Sequence, residues 1–343
     1  MDDALATPGP GPGRPPVRLH TPLCDLLGVE VPVLNAPMGG GDAPGVLAAG
    51  VSEAGGLGLV GGTTIEGAPW LVSQIRAVRG ATDRPFGVGF VSHFPGTAEL
   101  MRAALDEGVR IVAHSFADPT PFVGPAHDAG ALVVCQVRTV DEAKRAADAG
   151  VDVVTAQGTE AGGHTGRVST LPLVTAVVDA VAPIPVVAAG GIADGRGVAA
   201  ALLLGAVGVW IGTRFLATPE AGVSDAYKAR VVEATADDTV LTDVFDLALG
   251  RPWPEGVSGR AIRNRFAARW EGHEAELRAW SDEERAGYLA LGPEAEAEER
   301  SIWAGEGASL VRGIESAGDV VRSLAREAAA VLVARPSELL GPA

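Results

Sequence analysis

The sequence has little that would mark a secreted, metal-binding or membrane-spanning protein. Its 343 residues include two cysteines, Cys24 and Cys135, too few for a disulfide framework, and neither has zinc-ligand spacing. No apolar run free of turn residues reaches the roughly 18 to 20 residues that a spanning helix needs. The N-terminus has no apolar segment behind a basic start, unlike a secretion signal. We therefore expect a reduced, cytoplasmic protein without a bound metal or a membrane partner.

Basic charge is also scarce. The chain has 27 lysines and arginines against 43 acidic residues, a net charge of −16, so no broad positive field is available for nucleic acid. Hydrophobic residues make up 47% of the sequence, enough to bury a large core in one main domain with an appendage. A small molecule is the expected partner. The sequence does not determine the oligomeric state, and a homodimer is compatible with it.

Short apolar runs alternate with alanine-rich helical segments along most of the chain. Each run is nearly continuous in apolar residues, which is typical of parallel strands covered on both faces. The runs are "VPVLNAPM", "LGLVGG", "FGVGFV", "RIVAHSF", "LVVCQV", "VDVVTAQG", "IPVVAAGG" and "GVWIGT". Eight such units predict an α/β fold, a (β/α)8 TIM barrel, whose active site would lie at the C-terminal ends of the strands.

The composition changes after residue 216 and predicts a division of the chain. We expect a flexible tail over 1–19, rich in proline and glycine, and the barrel over 20–216. An inserted, mostly helical subdomain near the C-terminus would occupy 217–303 and cover the barrel mouth. Residues 304–343 would form a C-terminal helix that packs back on the barrel.

Glycine-rich turns follow three of the predicted strands. "NAPMGG" ends the first strand and suits a turn against a planar ring, although a plain turn explains it as well. "AAGGIADG" after the seventh strand, with Asp194 as the expected helix N-cap, and "WIGTRF" after the eighth lie where barrels hold phosphate. Neither has P-loop or dinucleotide-binding spacing. FMN therefore fits better than NAD or ATP.

The sixth strand runs into "AQGTEAGGHTG", which contains Gln157 and His164. A histidine chosen blind is more often structural, but the glycines here leave His164 few expected packing partners, and the fold places catalytic groups at this level. We expect His164 to be a proton-transfer group. His114, at the end of the fourth strand, is a second candidate for the pocket wall. Cys135 lies in an apolar strand and is expected to be inert.

With these motifs in place, the chain resembles the nitronate monooxygenases, formerly called 2-nitropropane dioxygenases, over about residues 20 to 335. The resemblance rests on "NAPMGG", "EAGGLGLVGG", "QGTEAGGHTG", the long block from "PVVAAGG" to "RFLAT", "AYKARVVEA" and "IRNRF". FMN-containing enoyl-acyl-carrier reductases are similar in the same blocks. The family often has asparagine at the end of the third strand, where this chain has Gly89.

The resemblance implies FMN as cofactor and a role for each matching residue. His164 would be the catalytic residue. The flavin ring would be lined by Ala36, Pro37 and Met38, its polar edge or ribityl chain would be bonded by Gln136 and Gln157, and Gly162 and Gly163 would pack close to it. The phosphate would be held by Gly190, Gly191, Gly212 and Thr213.

It also implies a reaction, the oxidation of alkyl nitronates or nitroalkanes to a carbonyl compound and nitrite with O2 consumed. His164 would abstract the α-proton or position the anionic nitronate. Two alternatives stay open, an NAD(P)H-dependent enoyl-thioester reductase and a flavin-binding protein without turnover in which the histidine is structural.

Overall fold

The computed structural model describes residues 18–251, 253–292 and 295–340. All eight apolar runs form strands. These are β1 (Val33–Asn35), β2 (Gly58–Gly61), β3 (Phe86–Val91), β4 (Ile111–Ser115), β5 (Leu132–Val137), β6 (Val153–Gln157), β8 (Val186–Ala189) and β9 (Gly208–Ile211). They pair in parallel in the order β1-β9-β8-β6-β5-β4-β3-β2, and a bridge between Leu34 and Leu57 joins the first strand to the second and closes the sheet. The predicted (β/α)8 barrel is confirmed.

Side chains that alternate along each strand fill the inside and the outside of the barrel. In β5, Val134 belongs to the inner cluster, whereas Val133 and Cys135 pack against the surrounding helices. Helix α1 (Pro22–Leu27) contributes Leu23 to the inner cluster, where it packs against Gly208 at the start of β9. The N-terminal end of the barrel is therefore filled, and open space is left at the C-terminal end.

Among the residues described, eight helices pack around the barrel. These are α2 (Gly45–Glu53), α3 (Ala68–Ala81), α4 (Thr97–Asp106), α5 (Thr120–Asp128), α6 (Val140–Ala149), α7 (Thr170–Val181), α8 (Gly195–Leu203) and α16 (Ala317–Leu339). Helix α16 lies against α8 and α2, so it covers the barrel between the final and the first units. Asp194 caps α8 as expected, since its Oδ1 accepts from the amide of Gly197 at 3.0 Å. Within the described part of the chain, no helix is long and apolar enough to cross a membrane.

Residues 217–316, called the insertion below, lie between α9 (Thr213–Leu216) and α16. They supply most of two further apolar clusters, one of which also includes Leu216 and contacts Met38 of the barrel. The insertion contains α10 (Asp225–Glu233), β10 (Thr239–Thr242), α11 (Val244–Leu249), β11 (Ser258–Ile262), α12 (Arg265–Trp270), α13 (Glu274–Arg278), α14 (Asp282–Leu289) and α15 (Glu296–Glu299). The subdomain boundaries given above stay predictions, and residues 1–17 of the expected tail lie outside the described residues.

The segment around His164 differs from the expected glycine-rich loop. Gly163–Thr165 forms a strand, β7, which pairs antiparallel with β11 of the insertion and forms a three-stranded sheet with β10. His164 is paired with Gly259 in this ladder. The partner strand lies almost a hundred residues further along the chain, so no local pattern indicated the pairing. The histidine is held by backbone hydrogen bonds to the insertion.

Candidate active site

A cavity of about 1080 Å³ opens at the C-terminal ends of the barrel strands. Its volume is at the upper end of the range of roughly 300–1,000 Å³ for ligand pockets. The predicted catalytic histidine and all the predicted cofactor-binding residues line this one cavity, whereas His114, the second candidate for its wall, does not. The residues that line it as predicted are Ala36, Pro37, Met38, Gln136, Gln157, Gly162, Gly163, His164, Gly190, Gly191, Gly212 and Thr213. The structure brings the predicted set together, while the role of each residue stays a prediction.

One wall of the cavity is formed by the turn after β1. Pro37 packs so closely on β3 that a Cβ atom added to Gly89 would lie 2.2 Å from its Cγ. Separations below about 3 Å do not occur between real Cβ atoms and their neighbours. Glycine is therefore required at position 89 for Pro37 to lie where it does, and an asparagine side chain has no room there.

Two amide side chains form a polar ridge at the ends of β5 and β6. The Nε2 atom of Gln136 donates to Oε1 of Gln157 at 2.9 Å, and Nε2 of Gln157 donates to the backbone carbonyl of His164 at 3.1 Å. Gln136 and Gln157 are both buried. This chain fixes the direction of each amide, which leaves a defined donor and acceptor pattern facing the cavity.

Glycines line the cavity at the C-terminal end of β8, and Gly190, Gly191 and Gly162 are called the glycine cradle below. Gly190 and Gly191 have φ angles of 105° and 70°, in the region that favours glycine. A Cβ atom at Gly190 would lie 2.8 Å from Oγ1 of Thr170, and one at Gly162 would lie 2.5 Å from the amide nitrogen of Gly305. A larger residue at either position would displace the neighbouring chain, and both glycines line the cavity with backbone that a phosphate could approach. Together with the Pro37 wall and the amide ridge, these glycines form a lining that fits a flavin.

His164 lies across the cavity in contact with the insertion. Its Nε2 is 2.8 Å from Oδ2 of Asp246, and both side chains are about nine-tenths buried. The other oxygen of Asp246 accepts from Nε1 of Trp253 at 3.0 Å. The imidazole stacks on the Trp253 indole, with ring centroids 3.4 Å apart and planes inclined by 11°. The histidine is therefore held by a carboxylate at one edge and by an aromatic ring on one face.

Further aromatic rings enclose the same histidine. Trp303 lies 4.9 Å from the imidazole, and Phe116 packs edge-on against Trp253 at 5.1 Å. Phe116 has a φ of 64°, a conformation that costs a non-glycine residue energy and is typical of functional sites. The Arg138 guanidinium lies 5.7 Å from the Phe116 ring. Aromatic surfaces limit the access of water to the imidazole.

Comparison with known proteins agrees with this geometry. The model of the family described as nitronate monooxygenase matches residues 20–103 and 96–327. Nitronate monooxygenase npaC of Metarhizium robertsii is 37% identical over 338 residues, with 88% of this chain and 91% of the relative covered. The chain belongs to the nitronate monooxygenase family.

Other relatives of this family member carry different names. The (3aS,4S,5R,7aS)-5-hydroxy-7a-methyl-1-oxo-octahydro-1H-indene-4-carboxyl-CoA dehydrogenase of Mycobacterium tuberculosis is 40% identical over 257 residues, which cover 74% of this chain and 69% of the relative. The structure of FabK from Thermotoga maritima superimposes with a TM-score of 0.83 at 33% identity and covers 94% of this chain and 100% of FabK. The chain is a flavin-dependent oxidoreductase of this family.

Two expectations about histidines in this family member were wrong. The glycines around His164 do not leave it with few packing partners, since the insertion supplies them. His114 does not line the cavity, because Ala113 and Ser115 point inward and His114 points outward between Phe90 and Phe122. Burial lowers the pKa of His114 to about 3, so it is neutral there.

Sequence reasoning missed the residues that hold His164, namely Asp246, Trp253, Trp303 and Phe116. Asp246 is 82 positions from His164 and lies on the short helix α11. No local spacing links the two residues. The outward direction of His114 follows from the structure, because the neighbouring Ser115 faces the cavity and side chains alternate along a strand.

Asp42, after the glycines of the first turn, also lines the cavity. Burial and, second, the nearby Glu296 carboxylate raise its pKa from 3.8 to about 7, and the buried Tyr227 has its pKa raised in the same neighbourhood. Between pH 3.8 and about pH 7, the Asp42 carboxyl keeps its proton in the folded chain and has lost it in the unfolded chain. The contribution of Asp42 to stability is therefore fully present below pH 3.8 and is lost as the pH rises through about 7.

We expect the substitution Asp42→Asn, which mimics the protonated form, to remove this dependence. Relative to wild type, the variant should gain about 4 kcal/mol in unfolding free energy between about pH 4 and about pH 8. This is because the pKa of Asp42 rises from 3.8 to about 7 on folding, and a pKa difference of one corresponds to about 1.4 kcal/mol. Urea unfolding of both proteins at the two pH values, under the same flavin loading, measures the gain. An equal difference at both pH values would contradict the raised pKa.

Proposed function

We propose that the chain uses FMN to oxidise alkyl nitronates or nitroalkanes to a carbonyl compound and nitrite, with O2 as the oxidant. The observation that carries the proposal is the paired His164 and Asp246 at the cavity wall, 2.8 Å apart. When bound, FMN supplies the electron acceptance and the reaction with oxygen. The family membership supports the reaction class, and the glycine cradle supports the mononucleotide.

The predicted cofactor residues divide into three groups by what they offer. Ala36, Pro37 and Met38 offer an apolar surface for the face of the ring. Gln136 and Gln157 offer amide donors and acceptors for its polar edge or the ribityl chain. Gly190, Gly191, Gly212 and Thr213 offer close backbone and a hydroxyl to the phosphate.

His164 removes the α-proton of a neutral nitroalkane. An imidazole is suited to this step because its ordinary pKa lies near neutrality. The proton leaves as the C–H bond breaks, and its electron pair stays on the substrate as the nitronate. The Asp246 carboxylate then balances the charge of the imidazolium, and the stacked Trp253 keeps the ring in place. We propose that the predicted subdomain 217–303 covers the barrel mouth and forms the wall of the substrate site.

A second candidate is oxidoreduction of a thioester, such as NAD(P)H-dependent reduction of an enoyl thioester. The observation in its favour is the 40% identity to a protein named as a carboxyl-CoA dehydrogenase. The structure of FabK, which superimposes over 94% of this chain at 33% identity, points in the same direction. In this case the same histidine would exchange a proton with the acyl substrate.

Oxygen uptake by the FMN-loaded protein separates the two candidates. We expect oxygen consumption and nitrite release with neutral nitroalkanes and with preformed nitronates, and slow bleaching of the flavin by NADH or NADPH without oxygen. If no short nitronate supports oxygen uptake, the first candidate is wrong. Fast anaerobic bleaching by NADPH, reversed by an enoyl thioester, would establish the second.

A further inference from the structure

We propose that Asp246 and Trp253 together fix the tautomer of His164, so that Nε2 carries the proton and Nδ1 is the nitrogen that accepts one from the substrate. The inference rests on the proposed role of His164 as a base. It adds which ring nitrogen reacts and which residues select it.

The first step is the hydrogen-bond inventory of Asp246. An ionised carboxylate can only accept, and the indole Nε1–H of Trp253 can only donate. Oδ1 accepts from Trp253 at 3.0 Å, and Oδ2 lies 2.8 Å from Nε2 of His164. With both oxygens acting as acceptors, Nε2 must supply a proton. The neutral imidazole is then deprotonated at Nδ1.

The second step concerns the other ring nitrogen. His164 lines the cavity, and no hydrogen bond to another described residue engages its Nδ1. The backbone carbonyl of His164 is already bonded by Gln157, and the β7 ladder holds the backbone to β11, so the ring has little freedom to turn over. The stack on Trp253 restricts it further. Nδ1 is thus left without a hydrogen-bond partner among the described residues, and we infer that its lone pair is available to a substrate in the cavity.

This arrangement makes an unusual prediction for Asp246→Asn. The new amide has one oxygen and one NH2 group, and the Trp253 N–H, a donor only, requires the oxygen. The NH2 group then points at Nε2, which must accept, so the imidazole proton moves to Nδ1. The nitrogen that faces the substrate would be blocked although the shape of the site is preserved, as for the wrong-tautomer effect known from serine proteases.

Removing the Trp253 indole N–H should remove the requirement that the new amide oxygen at position 246 point away from His164. In the double variant Asp246→Asn with Trp253→Phe, an aromatic ring still stacks on the imidazole, but nothing demands the amide oxygen. The amide can turn, its oxygen accepts from Nε2–H, and Nδ1 is freed again. If Asp246 had only a structural role, the additional loss of its contact with Trp253 would not restore activity to the Asp246→Asn variant.

Nitrogen NMR of the FMN-loaded protein with 15N-labelled histidine tests the inference without a substrate. His164→Ala identifies the His164 signals. We expect protonated Nε2 in wild type, protonated Nδ1 in D246N, and protonated Nε2 again in D246N/W253F. Protonated Nδ1 in wild type, or an unchanged tautomer in D246N, would overturn the inference, and the wild-type spectrum decides even if a variant fails to fold.

Activity gives a second measurement. D246N should lower kcat for a neutral nitroalkane by about 10²- to 10⁴-fold, the usual contribution of a general base. The D246N substitution should therefore lower kcat at least about tenfold less in the W253F background than in the wild-type background. Equal losses in the two backgrounds would contradict the inference. If wild type shows the expected tautomer but oxidises no nitroalkane, the proposed function fails and the tautomer assignment stands.

Discussion

Replacing His164 with alanine should reduce nitroalkane oxidation by about 10²- to 10⁴-fold while the protein keeps its flavin spectrum. The flavin should stay because the contact of Gln157 is with the backbone carbonyl of His164, which alanine retains. The imidazole itself contacts Asp246 and aromatic rings of the site, and, among the described residues, no hydrogen bond joins it to a glycine predicted to hold the phosphate. Steady-state oxygen uptake and the visible spectrum of the purified variant measure the two properties.

The substrate form separates the two ways in which His164 could act. If it is a base, the loss should be large with a neutral nitroalkane and much smaller with the preformed nitronate, since the proton is already gone. If His164 positions the anion instead, the loss of turnover should be equal with both substrates. His20→Ala is a matched control, because His20 is exposed and, among the described residues, its side chain bonds Asp25 of α1 rather than any residue of the cavity. Unchanged turnover in H164A would end any catalytic role.

Adding a single methyl group at Gly89 should damage both flavin binding and stability. The new Cβ would lie 2.2 Å from Cγ and 2.5 Å from Cβ of Pro37. The turn after β1 would have to move toward the cavity, into the space assigned to the flavin ring. We expect Gly89→Ala to lower the free energy of unfolding by about 1–3 kcal/mol, as overpacking does. The Kd for FMN should rise by at least about tenfold, or 1.4 kcal/mol.

Flavin titration and urea unfolding measure these effects. Gly124→Ala in α5 is the control, because a Cβ there meets no atom within 4 Å. Alanine in a helix is favoured over glycine by roughly 0.5–1 kcal/mol, so the control should be slightly stabilised and keep its flavin. Normal FMN affinity in G89A would mean that the Pro37 turn moves without cost and does not define the ring site.

The barrel was predictable because its signals are local. Each buried parallel strand is a short apolar run such as "LVVCQV", and the turn that follows a strand carries its own glycines. The strand order needed no long-range information, since each strand of a barrel pairs with its neighbours in sequence. For the same reason the residues at the strand ends could be assigned to one cavity from their positions in the sequence.

The surroundings of His164 were not predictable, because they depend on contacts between distant parts of the chain. Asp246 follows no recognisable motif, and Trp253 was visible only as one of several tryptophans beyond the barrel. The pairing of β7 with β11 depends on how the insertion folds over the barrel mouth. His114 shows a different failure, since a buried position at a strand end does not say toward which side a side chain points.

The ladder between β7 and β11 makes the position of His164 depend on the insertion. Position 259, opposite His164, is a glycine whose Cβ would lie 2.3 Å from the Trp303 ring, so the strand, the histidine and the indole fit together closely. A substitution that moves β11 would therefore also move β7 and its histidine. In this chain the shape of the cavity wall and the position of His164 cannot be changed independently.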